Sequence, residues 1–321
     1  MIQLQDLFVK ASDYRPFQSN VLNKVSGNCS RWMIHYLANA ILPSFFRKSS
    51  GVEQYLKTKA EGRVSKAVIC MTSFPQRIDT VWLVVECLLR QTRIPNKIVI
   101  YLSNIQFNSA NKLPESLKVY PKDLVEVIFV NDDIRSHKKY WYAVKEYFDR
   151  PIILVDDDLI YDSHVVEDLE KTTQKNSNTI ACCWGHKMRW NDTGEIMPYS
   201  KWGGVQPLYS VNSDYFFGSG GGTYFPVGSL EGANIPTKEI MTICPYADDI
   251  WLNAITRING YRTCRIRNYN SVPEWKIVNN KKLHSINNGS HNYNDKQLVQ
   301  VREYFINKYG RDPFIKDFLG K

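Results

Sequence analysis

The 321-residue chain lacks several of the features that most often disclose a function. Its seven cysteines, at positions 29, 70, 87, 182, 183, 244 and 264, are odd in number and include no C-x-x-C pair. Neither a disulfide framework nor a zinc site is indicated. Most of these cysteines sit in apolar stretches, where the residue acts as a small buried hydrophobe. That usage reads as a reducing, cytoplasmic compartment. A P-loop is absent, and the glycine cluster Gly218–Gly222 lacks the G-x-G-x-x-G spacing after an N-terminal strand, so a dinucleotide fold is poorly supported. No recognised nucleic-acid-binding motif appears. No apolar run reaches the ~20 residues of a membrane-spanning helix, and no secretory signal pattern is visible.

What is present is an ordinary globular composition, 43% hydrophobic and 23% charged. The net charge of +9 is unevenly spread. Residues 1–66 hold ten Lys/Arg against four Asp/Glu, so most of the excess lies in the first fifth. Such asymmetry points to an anionic partner surface, lipid headgroups or nucleic acid. Within this region "WMIHYLANAILPSFF" (32–46) is free of charge and flanked by Arg31 and by Arg47-Lys48. Two readings stand: an interfacial helix on an anionic leaflet, or a helix packed on the main domain. Residues 1–65 are read as a basic helical N-terminal extension.

From residue 66 onward the pattern alternates. Strands are expected at "AVICMTSF", "IPNKIVIYLS", "LVEVIFVND" and "PIILVDDD". Helices are expected at "RIDTVWLVVECLLRQT", at "SHKKYWYAVKEYF" with Ser136 as cap, and at "SHVVEDLEKTTQK" with Ser163 and Glu167 as a capping box. Later helices are expected to end at Gly260, and to run from an Asn294 cap to Gly310. This order argues for an α/β domain over 66–321, with a mostly parallel sheet flanked by helices. A nucleotide-binding half covers about 66–160 and an acceptor half about 161–321. Ligands of such sheets bind beyond the carboxyl ends of the strands. Three strands end there in polar residues: Thr72-Ser73, Asn131-Asp132-Asp133 and Asp156-Asp157-Asp158.

Three adjacent carboxylates after the apolar run Ile152–Val155 repel one another, and burying an unpaired charge is costly. A divalent cation relieves that repulsion; Mg²⁺ and Mn²⁺ favour oxygen ligands and take one or two carboxylates alongside phosphate oxygens. Phosphohydrolases of the haloacid dehalogenase type also carry aspartates after a strand, but Leu159-Ile160-Tyr161 follows here in place of their Gly-Thr pair. Nucleotidyltransferases open with a glycine-rich loop after the first strand; "TSFPQRI" has no glycine.

The ordered blocks "TSFPQRIDTVWLVVECLLRQTRIPNKIVIYLS", "VNDDIRSHKKY", "ILVDDDLIY", "GSGGGTYFP" and "CPYADDIWLNA" together resemble bacterial GT-A-type glycosyltransferases of surface-polysaccharide assembly, in lipopolysaccharide O-antigen and capsule pathways. The resemblance covers roughly residues 66–300 and leaves out 1–65. It implies a GT-A, Rossmann-like fold and a metal-dependent transfer of a hexose, with galactose or galactofuranose favoured. The donor would be a UDP-sugar and the acceptor a glycan or lipid-linked glycan at the inner face of the cell membrane. On this resemblance Asp156–Asp158 match the DXD motif: Asp158 and Asp156 bind Mn²⁺ or Mg²⁺, and Asp156 and Asp157 approach the nucleotide. Thr72, Ser73, Arg77 and Asp133 sit where the nucleotide is held, and Lys138 or Lys139 would neutralise phosphate. Asp249 of "ADD" matches the base of inverting enzymes, with Asp248 orienting the acceptor. The same two residues are also suited to a helix start.

His284, with His291 behind it, is the expected additional metal ligand. His186, Gly220, Gly221, Gly222 and Trp251 are expected to line the sugar and acceptor pocket. Two other readings remain: a non-catalytic basic α/β module binding an anionic polymer, and a nucleotidyltransferase.

Overall fold

The computed structural model describes residues 3–13, 20–107, 113–203, 207–267, 274–275, 293–316 and 318, with the side chains of 13 and 20–29 excepted. Its centre is an eight-stranded mixed sheet. In chain order the strands among the described residues are β1 (Val68–Thr72), β2 (Lys97–Ser103), β3 (Val125–Val130), β4 (Ile152–Val155), β5 (Thr179–Cys182), β6 (Gly185–Lys187), β7 (Val211–Asn212), β8 (Tyr215–Phe217), β9 (Gly221–Phe225) and β10 (Arg262–Arg265). The sheet order is β3-β2-β1-β4-β9-β5-β10-β7, and β6 and β8 form a separate antiparallel pair. The β3-β2-β1-β4 block is parallel, as is β5 with β10. β9 runs antiparallel between β4 and β5, and β7 antiparallel at the edge.

The continuous apolar runs of β1, β2 and β4 belong to strands covered on both faces. Alternation divides them cleanly. Ile69, Met71, Ile98, Ile100, Ile153 and Val155 enter one core, with the helices Val81–Leu89 and Val165–Lys175. Val68, Cys70, Val99, Tyr101, Ile152 and Leu154 enter the other, with the helices Asp248–Ile258 and Tyr293–Tyr309. The six cysteines whose side chains are described are all buried and free, as small hydrophobes.

The N-terminal segment is helical, at Leu4–Asp13, Asn20–Lys48 and Gly51–Ala60. It shares the first core, to which it contributes Val9, Ala38, Leu42, Phe46 and Tyr55. Polar contacts fasten it as well: Gln5 Nε2 donates to the Cys87 and Tyr161 carbonyls, and Asp6 accepts from the Ser163 backbone and hydroxyl at 2.7 and 2.8 Å.

Three expected caps differ. Ser163 serves Asp6, and the Val165–Lys175 helix start is met instead by Gln91 Oε1, which accepts from Val166 N. Glu167 turns to Thr92 and Lys171. Ser136 caps nothing; its hydroxyl is buried without a partner in a 3-10 turn, and the expected long helix is divided into Lys138–Trp141 and Ala143–Glu146. Asn294 lies inside its helix, which includes Tyr293, while Gly260 and Gly310 stop theirs with φ of 85° and 66°.

Candidate active site

Beyond the carboxyl end of β4 the three aspartates separate into different environments. Asp157 turns inward and is 5% exposed. Ser73 Oγ donates to its Oδ2 at 2.5 Å, and Arg77 Nη1 lies 2.7 Å from its Oδ1. The same Arg77 nitrogen lies 2.8 Å from Asp158 Oδ2. Burial opposes the Arg77 charge, but Asp157 and Asp158 outweigh it and hold the pKa above its usual value. Asp158 is mostly buried, and burial together with Asp157 and Asp156 pushes its pKa up to about 7. Asp156 is the open member, its side chain 45% exposed.

A buried lysine joins this strand end to the second acidic motif. Lys139 Nζ lies 3.2 Å from Asp156 Oδ1 and 3.0 Å from Asp248 Oδ2. Burial works against its charge, and the two carboxylates more than offset that. Asp248 opens the helix Asp248–Ile258 and also accepts from Ser219 Oγ at 2.6 Å. Burial would raise its pKa, but Lys139, the nearby His137 and the Ser219 bond bring it down to about 2. Among the described residues its neighbour Asp249 has no cation in contact, and its Oδ1 accepts from Ile250 N at 2.9 Å. Burial and the adjacent Asp248 charge raise its pKa to about 7. Two neighbouring carboxylates thus titrate far apart, a pattern that separates a fixed charge from a group able to move a proton near neutrality.

The glycine run closes the floor. Gly220 O accepts from Asp156 N at 2.7 Å and from Tyr161 Oη at 2.6 Å, and Tyr161 Oη accepts from Asp156 N at 2.8 Å. A Cβ on Gly220 would fall 1.8 Å from Asp156 Oδ1, so the Asp156 carboxylate keeps this place only while residue 220 has no side chain. Gly222 takes φ +101°, beside the register shift between β4 and β9 at Leu154/Val155. Gly220, Gly221 and Gly222 are all buried, so they shape the seat of Asp156 rather than an open sugar pocket.

Several expected positions are occupied differently. Lys138 is buried and paired with Asp133, Nζ to Oδ1 2.6 Å, as Lys139 is with Asp156 and Asp248. Asp133 also accepts from Gln106. Thr72 Oγ1 donates back to Tyr101 O within the sheet. Trp251 is fully buried, donates to Ala233 O and packs on Tyr304 and Phe305; it is a core residue, because its place on the Asp248–Ile258 helix faces the second core. His186 is half-buried beside Trp184 and Tyr199, with ring centroids 5.7 and 6.0 Å away, and Trp184 is 45% exposed. His284 and His291 lie outside the described residues.

Other residues of the site lie within the quoted blocks but were assigned no role from the sequence. Ser219 and Tyr161 fix Asp248 and Asp156. His137, fully buried with its pKa lowered to about 4 by that burial, ties the lysine-bearing turn to Cys244 O at 2.6 Å and to Tyr140 Oη at 2.7 Å. Arg135 stands with φ 53° and its guanidinium 3.8 Å from the Tyr246 ring centroid. Among the described residues no carboxylate pairs with it. The sequence signal for Arg135 and His137 was the density of Arg, His and Lys between 135 and 139.

The donor set suits a hard divalent cation. Asp156 and Asp158 present carboxylate oxygens from alternate residues, Asp157 being locked inward, and the burial and carboxylate repulsion that raise the Asp158 pKa are both offset by a bound cation. Among the described residues the three-member cluster that could hold a metal lies elsewhere, at Asp6, Asp162 and His164. That cluster is internally satisfied: Ser163 and Gln3 donate to Asp6, and Arg267 and His164 N donate to Asp162.

No family model and no curated protein matches the chain. Among solved structures it is similar to the mannosyltransferase PcManGT from Pyrobaculum calidifontis in complex with GDP-Man and Mn²⁺, at 14% identity, over 89% of this chain and 79% of that one, with a TM-score of 0.49. It is also similar to S. aureus TarS 1-349 in complex with UDP, at 14% identity over 78% and 76% of the two chains, TM-score 0.43. A further S. aureus TarS structure is 13% identical over 75% of this chain and 43% of that one, TM-score 0.44.

Proposed function

We propose that the chain is a metal-dependent glycosyltransferase that moves a hexose from a nucleotide diphosphate sugar to an acceptor hydroxyl with inversion. The observation that carries this reading is the Lys139 bridge, which sets the Asp156–Asp158 turn beyond β4 against the Asp248-Asp249 helix start.

The residues divide the work. Asp249, raised to about 7, takes the proton of the acceptor hydroxyl. The acceptor oxygen bonds to the anomeric carbon while the bond from that carbon to the diphosphate oxygen breaks, and the nucleoside diphosphate leaves with the electron pair. Asp248 stays ionised and keeps Lys139 in position. Asp156 and Asp158 are the oxygen ligands for Mn²⁺ or Mg²⁺, and when bound that cation supplies charge neutralisation to the leaving diphosphate. Arg77 and Ser73 hold Asp157 so that its neighbours face the crevice. With Lys138 and Lys139 paired, Arg135 is the cation we assign to the phosphates. Trp184, exposed beside His186, offers an aromatic face to a sugar ring.

UDP is the nucleotide favoured by the sequence resemblance, with galactose in pyranose or furanose form as donor sugar. A lipid-linked or oligosaccharide acceptor in surface-glycan assembly, at the inner face of the membrane, completes the reading. Incubation with UDP-, GDP-, ADP- and CMP-sugars tests it. Manganese-dependent release of one free nucleotide, lost with chelator, is the expected outcome. Release of none, even with a mixed oligosaccharide acceptor pool, counts against it.

A further inference from the structure

The helix Asn20–Lys48 is apolar on two faces. Residues 32–46 contain no charge, so nothing in the sequence restricts burial to one side. Ala38, Leu42 and Phe46, at helical spacing, are buried in the first core. On the other side Trp32, Met33, Tyr36, Leu37 and Ile41 are 71, 54, 61, 39 and 43% exposed. A surface helix of a soluble domain ordinarily carries one apolar stripe. The second stripe here forms a contiguous patch on the order of several hundred Å², the size at which an exposed apolar surface marks an interaction site. No described residue covers it.

We propose that this face docks on an anionic lipid bilayer. Three observations select that occupant. Trp32 and Tyr36 stack on one another in the open, with centroids 5.9 Å apart, and Trp and Tyr are the residues that settle at a membrane–water interface. The helix contains Lys24, Arg31, Arg47 and Lys48 and no acidic residue, so it complements anionic headgroups. The same excess of one sign opposes pairing with a second copy of itself. Arg47 and Lys48 are both exposed at the helix end, where they can meet headgroup phosphates. No helix among the described residues is long and apolar enough to cross a membrane, so this helix lies on the surface.

This inference stands apart from the transferase reading, since vesicle binding is measured without turnover. The full chain is sedimented with vesicles of phosphatidylcholine alone and of phosphatidylcholine mixed with phosphatidylglycerol. Wild type is expected to pellet with the mixed vesicles only. Trp32→Glu/Leu37→Glu is expected to weaken binding at least about tenfold, and Arg47→Glu/Lys48→Glu to weaken it while leaving the apolar stripe intact. Both act at exposed sites, so melting temperatures serve as the control for folding. Wild type that stays in the supernatant with both vesicle types overturns the proposal. So does undiminished binding by both folded variants. A lipid-free dimer in sedimentation velocity, dissolved by Trp32→Glu/Leu37→Glu, overturns it too and gives the face to a second copy.

Discussion

Lys139 and Asp248 form a buried ion pair, Nζ to Oδ2 3.0 Å, between two acidic motifs about a hundred residues apart in sequence. Removing one partner leaves an uncompensated buried charge, which costs about 3–5 kcal/mol. Lys139→Met is therefore expected to lower unfolding stability by about that amount, measured by urea denaturation. A loss below about 1 kcal/mol, the level of an exposed pair, would contradict the pairing.

Among the described residues the one side-chain bond of Asp249, accepted from Ile250 N, can also be accepted by an amide oxygen. Asp249→Asn is expected to reduce kcat by about 10²–10⁴-fold, the usual worth of a positioned general base. Nucleotide binding, followed by thermal shift, should stay at the wild-type level. Equal loss of binding and turnover would assign Asp249 to the donor site instead.

The pH dependence follows from the raised Asp249 pKa of about 7. A base must be deprotonated, so kcat/KM is expected to rise about tenfold per pH unit below 7 and to level off above it. Stability runs the other way. Between about pH 4 and 7 the folded chain still holds this proton and the unfolded chain has released it, so the group's contribution to stability falls as pH rises. Comparing metal-free unfolding of wild type and Asp249→Asn across that window isolates the effect. Parallel profiles would contradict it.

A side chain at Gly220 is expected to displace the Asp156 carboxylate. In Gly220→Ala the methyl group meets the Asp156 carboxylate, 1.8 Å from Oδ1, and one of them must move. The strain corresponds to about 1–3 kcal/mol. Manganese-dependent activity should fall much further than that loss of stability explains. Tyr161→Phe, which deletes the hydroxyl linking Asp156 N and Gly220 O, should produce a milder version of the same defect.

How much of this was legible beforehand depended on whether the signal was local. The apolar run Ile152–Val155 followed by three aspartates identifies a buried strand reaching a ligand edge, and the structure has β4 there. Asp248 and Asp249 at a helix start were legible in the same way. The partners were not. Ser73 and Arg77 meet Asp157 across 84 and 80 residues, and no periodicity announces that choice. Lys138 and Lys139 look alike in sequence, yet one turns to Asp133 and the other to Asp156 and Asp248. Trp251 and Trp184 are both near the site in sequence, but helix phase buries the first and a strand end exposes the second. Ser163 had the spacing of a helix cap and was taken by Asp6, a contact no local rule contains.

Asp158 tests the cation directly. Its pKa, raised to about 7 by burial and two neighbouring carboxylates, means that removing its charge relieves repulsion. Asp158→Asn is expected to keep or raise the melting temperature in chelator and to lose manganese-dependent turnover. A folded variant with full activity would remove Asp158 from the metal site.

The most direct measurement is a thermal-shift panel of UDP, GDP, CMP and ADP with the wild-type chain, each with Mn²⁺ and with chelator. A ligand that binds only the folded state stabilises it by mass action, about 2.7 kcal/mol at a hundredfold excess over Kd. The account predicts a shift with one nucleoside diphosphate, UDP first, that disappears in chelator. No shift with any nucleotide, or one that is the same with and without the metal, would contradict a metal-dependent sugar-nucleotide site at Asp156 and Asp158.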